Sequence, residues 1–313
     1  MRATTRLRQL INAKETLIVP GCYNAMTAKI IEQVGFPAVY MTGYGTSLAL
    51  LGMPDAGLAT MSEMHLNARY IANAVKIPLI ADCDNGYGNA INVIRAVREY
   101  IQTGTAGIHI EDQIIPKRCG HVAGRQVIPM AEACGKFRAA KDIRDELDPD
   151  FVIIARTDAR GAVGGNIDVA IERANAYLEA GADVAFVEGP TTREEIAKVC
   201  EQVEGPVLYN QTGVSPRLNE SSASFSCPAA ARSLLYESTV PGPQHLPQPL
   251  PRDITGFHHR RCVSTTVVSA TAAAFVFECR TADAVAVISA AKIIRIRKIS
   301  VVSALESRLK GAG

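Results

Sequence analysis

Acidic side chains stand where short apolar runs end, and one such place is Ile80-Ala81-Asp82-Cys83-Asp84-Asn85-Gly86-Tyr87-Gly88. If a strand carries through both aspartates, alternation turns their carboxylates the same way, as two hard oxygen ligands over one spot. The glycines beyond let backbone approach closely. That arrangement suits Mg²⁺ held largely through water, with Mn²⁺ as a substitute. Glu111, ending the next apolar run, and Asp55, in a loop further upstream, would complete the hydrated shell. An isolated Asp-x-Asp is more often a helix cap or a solvated turn; Glu111 at the neighbouring strand end favours the metal.

A second group is Pro116-Lys117-Arg118-Cys119-Gly120-His121, shortly after Glu111-Asp112-Gln113. A thiol flanked by Lys117, Arg118 and His121 lies in a field that favours the thiolate, which makes Cys119 a competent acid/base or nucleophile near neutral pH. Gly120 and the polar surroundings suggest a loop that closes over substrate. The competing view is a basic surface loop with an incidental cysteine. Arg156 ends an otherwise apolar run, where its planar fork suits carboxylate or phosphate. An internal ion pair with Asp158 is the alternative. Tyr40 is a candidate base for a substrate hydroxyl, on position alone. His65 and His109 fit structural roles, and His258-His259 has no partner at metal-ligand spacing.

These residues need a frame. From residue 17 to about 210 a short β-branched run, a polar or Gly-rich loop and an amphipathic stretch recur. The strands expected are 17–20, 38–42, 78–82, 107–111, 151–156, 184–188 and 206–210. Helical patterns lie at 61–75, 90–103, 130–147, 167–180 and 193–203, with Gly104 and Gly181 ending two of them. Alternation of this kind implies a parallel sheet with helices outside. Most runs end in a polar residue: Thr42, Asp82, Glu111, Arg156, Glu188, Asn210. In a (β/α)8 TIM-type barrel those ends converge on one mouth. A doubly wound sheet would be favoured by G-x-G-x-x-G after the first strand, and Gly21-Cys22-Tyr23-Asn24 does not fit it.

Composition sets the bounds. The chain has 313 residues, 48% hydrophobic and 20% charged, enough to bury a large core, and its net charge of +2 gives no case for nucleic acid or an anionic membrane. Eight cysteines without a C-x-x-C pair fit reduced thiols and a cytoplasmic setting. The basic N-terminus lacks a signal-length apolar stretch and suits a short amphipathic helix, and the uncharged stretch 262–277 is too short to span a bilayer. Near residue 220 the character changes: 221–313 carries 11 basic and 5 acidic residues, with five prolines between Pro241 and Pro251. The expected division is therefore a barrel body at 1–220 and an atypical segment at 221–313. An eighth strand finds no good place there, 265–269 and 284–289 being poor candidates.

Taken together the motifs resemble the isocitrate lyase / phosphoenolpyruvate mutase superfamily. The likeness runs through Met41-Thr42-Gly43-Tyr44-Gly45-Thr46-Ser47, Leu51-Gly52-Met53-Pro54-Asp55, 82–88, 111–113, 117–121 and 155–158. It is similar to the branch holding 2-methylisocitrate lyase, 2,3-dimethylmalate lyase, oxaloacetate-cleaving enzymes and carboxyphosphonoenolpyruvate phosphonomutase. The resemblance implies a barrel whose last helix swaps between subunits in a dimer of dimers, a homotetramer. It implies Mg²⁺ with Asp82 as main carboxylate and Asp55, Asp84 and Glu111 in the hydrated shell. Thr42, Gly43 and Tyr44 would bind a substrate carboxylate; Arg156, Glu188 and Asn210 would surround the reacting oxygens; Cys119, on a gating loop with Lys117, Arg118 and His121, would be the acid/base. The activity implied is Mg²⁺-dependent carbon–carbon cleavage of a small 2-hydroxy or 2-oxo dicarboxylate. The alternatives are phosphonomutase chemistry and an inactive barrel that binds Mg²⁺ and carboxylates. The likeness stops at about 217–220, as after a shifted reading frame or a replaced C-terminus, and Asn210-Gln211-Thr212-Gly213 stands where these enzymes carry Asn-Met-x-Glu-Gly.

Overall fold

Each apolar run becomes a parallel strand beside its predecessor. In the computed structural model, which describes residues 1–120, 124–211 and the backbone of 233–237, the strands are β1 (Leu17–Cys22), β2 (Val39–Met41), β3 (Leu79–Asp82), β4 (Gly107–Glu111), β5 (Val152–Thr157), β6 (Val184–Val187) and β7 (Val207–Gln211). An eighth, β8 (Ser233–Glu237), pairs with β7 on one side and β1 on the other, closing the barrel in chain order. The expectation that no eighth strand can be placed is thus corrected. Its apolar kernel, Leu234-Leu235-Tyr236, is short and hidden in a Ser- and Pro-rich stretch within 221–313. The candidates at 265–269 and 284–289, and any swapped helix beyond, lie outside the described residues. The chain divides into two units, Met1–Arg217 with Ser224–Gln248 and Leu218–Ala223 with Pro249–Gly313, of which the second is outside the described residues.

The helices are α1 (Ala3–Ile11), α2 (Ala25–Val34), α3 (Gly43–Leu51), α4 (Met61–Ala74), α5 (Ala90–Gln102), α6 (Met130–Leu147), α7 (Ile167–Glu179) and α8 (Arg193–Gln202). Most start on a side chain that takes up an orphan N–H: Asn24, Thr60 and Asn89 form reciprocal capping boxes, and Thr42, Asn166 and Thr192 accept from the first turn. Gly104 and Gly181 follow α5 and α7 with φ of 86° and 113°, the left-handed exit glycine adopts freely. No helix among the described residues is long and apolar enough to cross a membrane.

Side chains of alternate parity go to two places. Ile108, Ile110, Ile153 and Ala155 face α4, α5 and α6 in the outer core. Val19, Tyr40, Ile80, Val152, Ile154, Val184, Phe186 and Leu208 fill the barrel interior, together with Leu7 and Ile11 of α1. Leu7 and Ile11, four residues apart, share one helix face and stopper the barrel end opposite the strand C-termini. Each such side chain contributes roughly 1.5–3 kcal/mol when fully buried.

Candidate active site

Two residues above the interior layer, the same parity delivers the polar strand ends into the mouth. Thr42 stands above Tyr40, Asp82 above Ile80, Glu111 above His109, Arg156 above Ile154, Glu188 above Phe186 and Asn210 above Leu208. All but Arg156 are less than a tenth exposed, and the six lie on six consecutive strands or at their ends.

Asp82 is fixed from three sides. Its Oδ2 accepts the Gly43 N–H at 3.0 Å, its Oδ1 accepts the Asp84 N–H at 2.8 Å, and His109 Nε2 lies 3.2 Å from Oδ1. A Cβ on Gly43 would sit 2.2 Å from Oδ2, so only glycine lets α3 start against this carboxylate. The expected strand alternation across Asp82 and Asp84 does not hold: β3 ends at Asp82, and Asp84 turns with φ 46°. The tight turn still leaves its carboxylate facing the mouth. There Lys117, its side chain 3% exposed, contacts Asp84 and reaches Asp55 Oδ1 at 2.9 Å. Burial pushes the Asp82 and Glu111 carboxyls up, and that of Asp84 to about 6, with Lys117 opposing each rise. Burial also works against the Lys117 ammonium, but Asp84, Glu111, Asp55 and Asp82 outweigh it and hold the amine well above its usual range. Lys117, expected to act on Cys119, thus turns into the acids, and Arg118 is exposed.

Across the mouth Arg156 gathers three carboxylates. Its fork donates to Asp158 at 2.9 and 3.1 Å, and it lies 3.4 Å from Glu111 and 3.2 Å from Glu188. The internal ion pair with Asp158 is therefore present, within a larger network. Its guanidinium also sits 5.2 Å over the Phe186 ring. Arg125 binds the far side of Asp158 at 2.6 Å, and Asn210 Nδ2 donates to Glu188 at 3.3 Å. Burial disfavours the Asp158 carboxylate, yet Arg156 and Arg125 prevail and hold it near pKa 2. Asp112 points the opposite way to Glu111, accepting from Thr157, Asp158 N–H, Arg173 and Tyr177. It braces β5 against α7.

The flap carrying Cys119 lies over this network. A Cβ on Gly120 would come within 2.4 Å of Arg156 and 2.7 Å of Glu188, so its missing side chain serves close approach, in place of the hinge expected from sequence. Cys119 is half-buried. Tyr44, in the first turn of α3, has its phenol pushed up by burial and by the charges of Cys119 and Asp55. His121 lies outside the described residues. Thr42 spends its hydroxyl capping α3, by accepting Gly45 N–H at 3.2 Å, and Gly43 N–H is taken by Asp82. The Tyr40 hydroxyl is bonded to His109 Nδ1 one layer below the mouth, the two rings stacked 5.7 Å apart. Burial, Arg156 and Lys117 hold His109 well below its usual pKa, hence neutral. Its place beside Asp82 was missed in sequence, although its parity with Glu111 was visible. Arg125 was missed too, since its partner Asp158 stands 33 residues away.

Glu111 Oε1 is buried without a hydrogen-bond partner. Six carboxylates (Asp55, Asp82, Asp84, Glu111, Asp158, Glu188) face three cations (Lys117, Arg125, Arg156). No three His, Cys, Asp or Glu among the described residues cluster closely enough to chelate an ion directly.

A closed parallel barrel with acids and one arginine at its strand C-termini is a (β/α)8 enzyme scaffold. More narrowly, the chain belongs to the phosphoenolpyruvate phosphomutase family, whose sequence profile matches residues 7–223. It is 50% identical over 210 residues to 2,3-dimethylmalate lyase of Eubacterium barkeri, covering 67% of this chain and 71% of that one. It is 43% identical over 219 residues to the chloroplastic carboxyvinyl-carboxyphosphonate phosphorylmutase of Arabidopsis thaliana, covering 69% of this chain and 64% of that one, less than two thirds. Oxaloacetate acetylhydrolase in complex with 3,3-difluorooxalacetate superposes with a TM-score of 0.69 at 38% identity, over 75% of this chain and 79% of that one. Phosphonopyruvate hydrolase, solved with oxalate and Mg²⁺, gives a TM-score of 0.67 at 32% identity, over 76% of this chain and 81% of that one.

Proposed function

We propose that the protein is a Mg²⁺-dependent carbon–carbon bond lyase acting on a small 2-hydroxy or 2-oxo dicarboxylate, with release of a 2-oxo acid. The observation that carries this reading is the convergence of Asp82, Glu111, Arg156 and Glu188 beneath the Cys119 flap. The excess of buried acids over cations and the unpartnered Glu111 oxygen fit a divalent ion. The separation of the acids fits one held largely through water, by Asp82 with Asp55, Asp84 and Glu111 around it. When bound it would supply Lewis-acid stabilisation of the negative charge that moves as the bond breaks.

The chain's own groups do the rest. Arg156, with Asn210 and Glu188, orients the substrate oxygens. The hydroxyl proton leaves on the Asp82 side, and in this reading Tyr40 is the base, taking it up as its own phenol proton passes to Nδ1 of the neutral His109. The carbonyl forms, the carbon–carbon bond breaks, and its electron pair passes to the departing carboxylate fragment as an enolate. Cys119 then donates its proton to the fragment's carbon. The start of α3, from Thr42 to Tyr44, shapes the side of the pocket where a substrate carboxylate sits. A homo-oligomer accompanies this proposal, and the five free thiols among the described residues fit the reducing setting of the cytoplasm.

The test is a panel of hydroxy- and oxo-dicarboxylates with Mg²⁺, read by 2-oxo acid release from the hydroxy members and, since an oxo member must first add water to present a hydroxyl, by oxalate release from those. Cleavage of one member that EDTA abolishes is expected; no cleavage across the panel sinks the lyase. The Arabidopsis relative favours a second reading, phosphorus–carbon bond formation, which phosphorus NMR of carboxyphosphonoenolpyruvate turnover would detect.

A further inference from the structure

Gln113 has no part in the chemistry above, yet it is 1% exposed at the root of the flap. Its side-chain amide grips one residue at both ends: Nε2 donates to the Arg118 carbonyl at 2.9 Å, and Oε1 accepts the Arg118 N–H at 3.0 Å. A neighbouring strand would hold a backbone in the same manner, but here one planar side chain does so. The root is itself anchored. Gln113 bridges antiparallel to Val127, Ile114 N–H donates to Gln126 at 3.1 Å, and Ile128 N–H donates to Asp112 at 2.9 Å. From the other side, Lys136 Nζ donates to the Asn85 carbonyl at 3.1 Å and ties down the Asp84 turn.

Arg118 is the residue between the two that matter. With its peptide groups fixed, the preceding Lys117 turns into Asp55 and Asp84, and Gly120, the residue after Cys119, rests on Arg156 and Glu188. We infer that Gln113 is a positioning residue, whose amide sets the Cys119 thiol over the mouth by clamping the Arg118 peptide. The inference rests on Cys119 being the acid of the proposed reaction.

Full-length Gln113→Met and Gln113→Glu variants test it. Met keeps the length and removes both bonds, while Glu keeps the bond from Arg118 N–H and sets a carboxylate oxygen against the Arg118 carbonyl. Alkylation by iodoacetamide, followed cysteine by cysteine through peptide mass spectrometry, reports the flap without needing a substrate. The half-buried Cys200 of α8 is the internal control. Loss of two hydrogen bonds predicts roughly tenfold faster alkylation of Cys119 with Cys200 unchanged, and kcat lowered by about the same factor with little change in KM. Unchanged Cys119 kinetics in both variants overturns the inference, and so does a parallel rise at Cys119 and Cys200, which would mean general loosening. Since alkylation is independent of turnover, failure of the lyase reading would leave the Cys119 response intact and be told apart.

Discussion

Replacing Lys117 by Met should convert the mouth into a site that is unstable without a divalent cation. Met preserves most of the stem volume and removes the ammonium that contacts Asp84 and lies 2.9 Å from Asp55. Removing one partner of a buried ion pair costs about 3–5 kcal/mol, and proton uptake by the orphaned acids favours the lower end. Each kcal/mol moves the melting temperature of a domain this size by about 2–4 °C, so a fall of roughly 6–12 °C is expected in EDTA. The measurement belongs well above the Asp84 pKa of about 6. Lys117 holds that value down, so its loss raises the Asp84 pKa further, and as pH falls Asp84 takes up a proton and the penalty shrinks. Mg²⁺ at a hundredfold its Kd restores about 2.7 kcal/mol. The variant should therefore gain most of its loss back, whereas the wild type gains less because Lys117 competes for the same oxygens. Thermal unfolding by circular dichroism, with and without Mg²⁺, decides it. A variant that melts with the wild type in EDTA and shows the same Mg²⁺ increment would falsify the idea that Lys117 balances these acids.

Three further outcomes are expected. Cys119→Ser should lower kcat by about 10² to 10⁴ while keeping Mg²⁺ and substrate binding, and undiminished turnover removes the thiol from the reaction. Tyr40→Phe should lower kcat by about 10²-fold with a stability change near 1 kcal/mol, the hydroxyl's bond to His109 being the structural part; normal kcat rules out the base. Asp158, held near pKa 2, stabilises the fold fully above the ordinary carboxylate range and loses that contribution as pH falls through 2. The gap in urea midpoint between wild type and Asp158→Asn should therefore be wide at neutral pH and narrow in acid. A gap that does not depend on pH would refute the pairing.

What was legible in the sequence was parity and punctuation. Seven strands and five helices appear within a residue or two of the expected runs because period-two apolar patterns and Asn, Thr and Gly caps are local signals. The ring of polar strand ends follows from the same parity, which brings Asp82, Glu111, Arg156, Glu188 and Asn210 to one mouth. Asp84 reached the mouth by another route, a left-handed turn that alternation does not describe. Lys117 was read as a field acting on its neighbour Cys119, whereas burial of distant acids draws its charge away. Arg125 and Gln113 act through partners fixed only by folding. β8 escaped notice because three apolar residues in a proline-rich stretch are too short to show a period.

The stopper at the barrel's lower end has a bearing on kinetics. With Leu7 and Ile11 filling the base beneath the aromatic and aliphatic layer, the described residues close that end and leave the acids to be reached from the side of the Cys119 flap. Whatever settles deepest among the acids must enter first and depart last. On the proposed reading, order of addition is thereby built into the vessel's shape, ion ahead of organic acid.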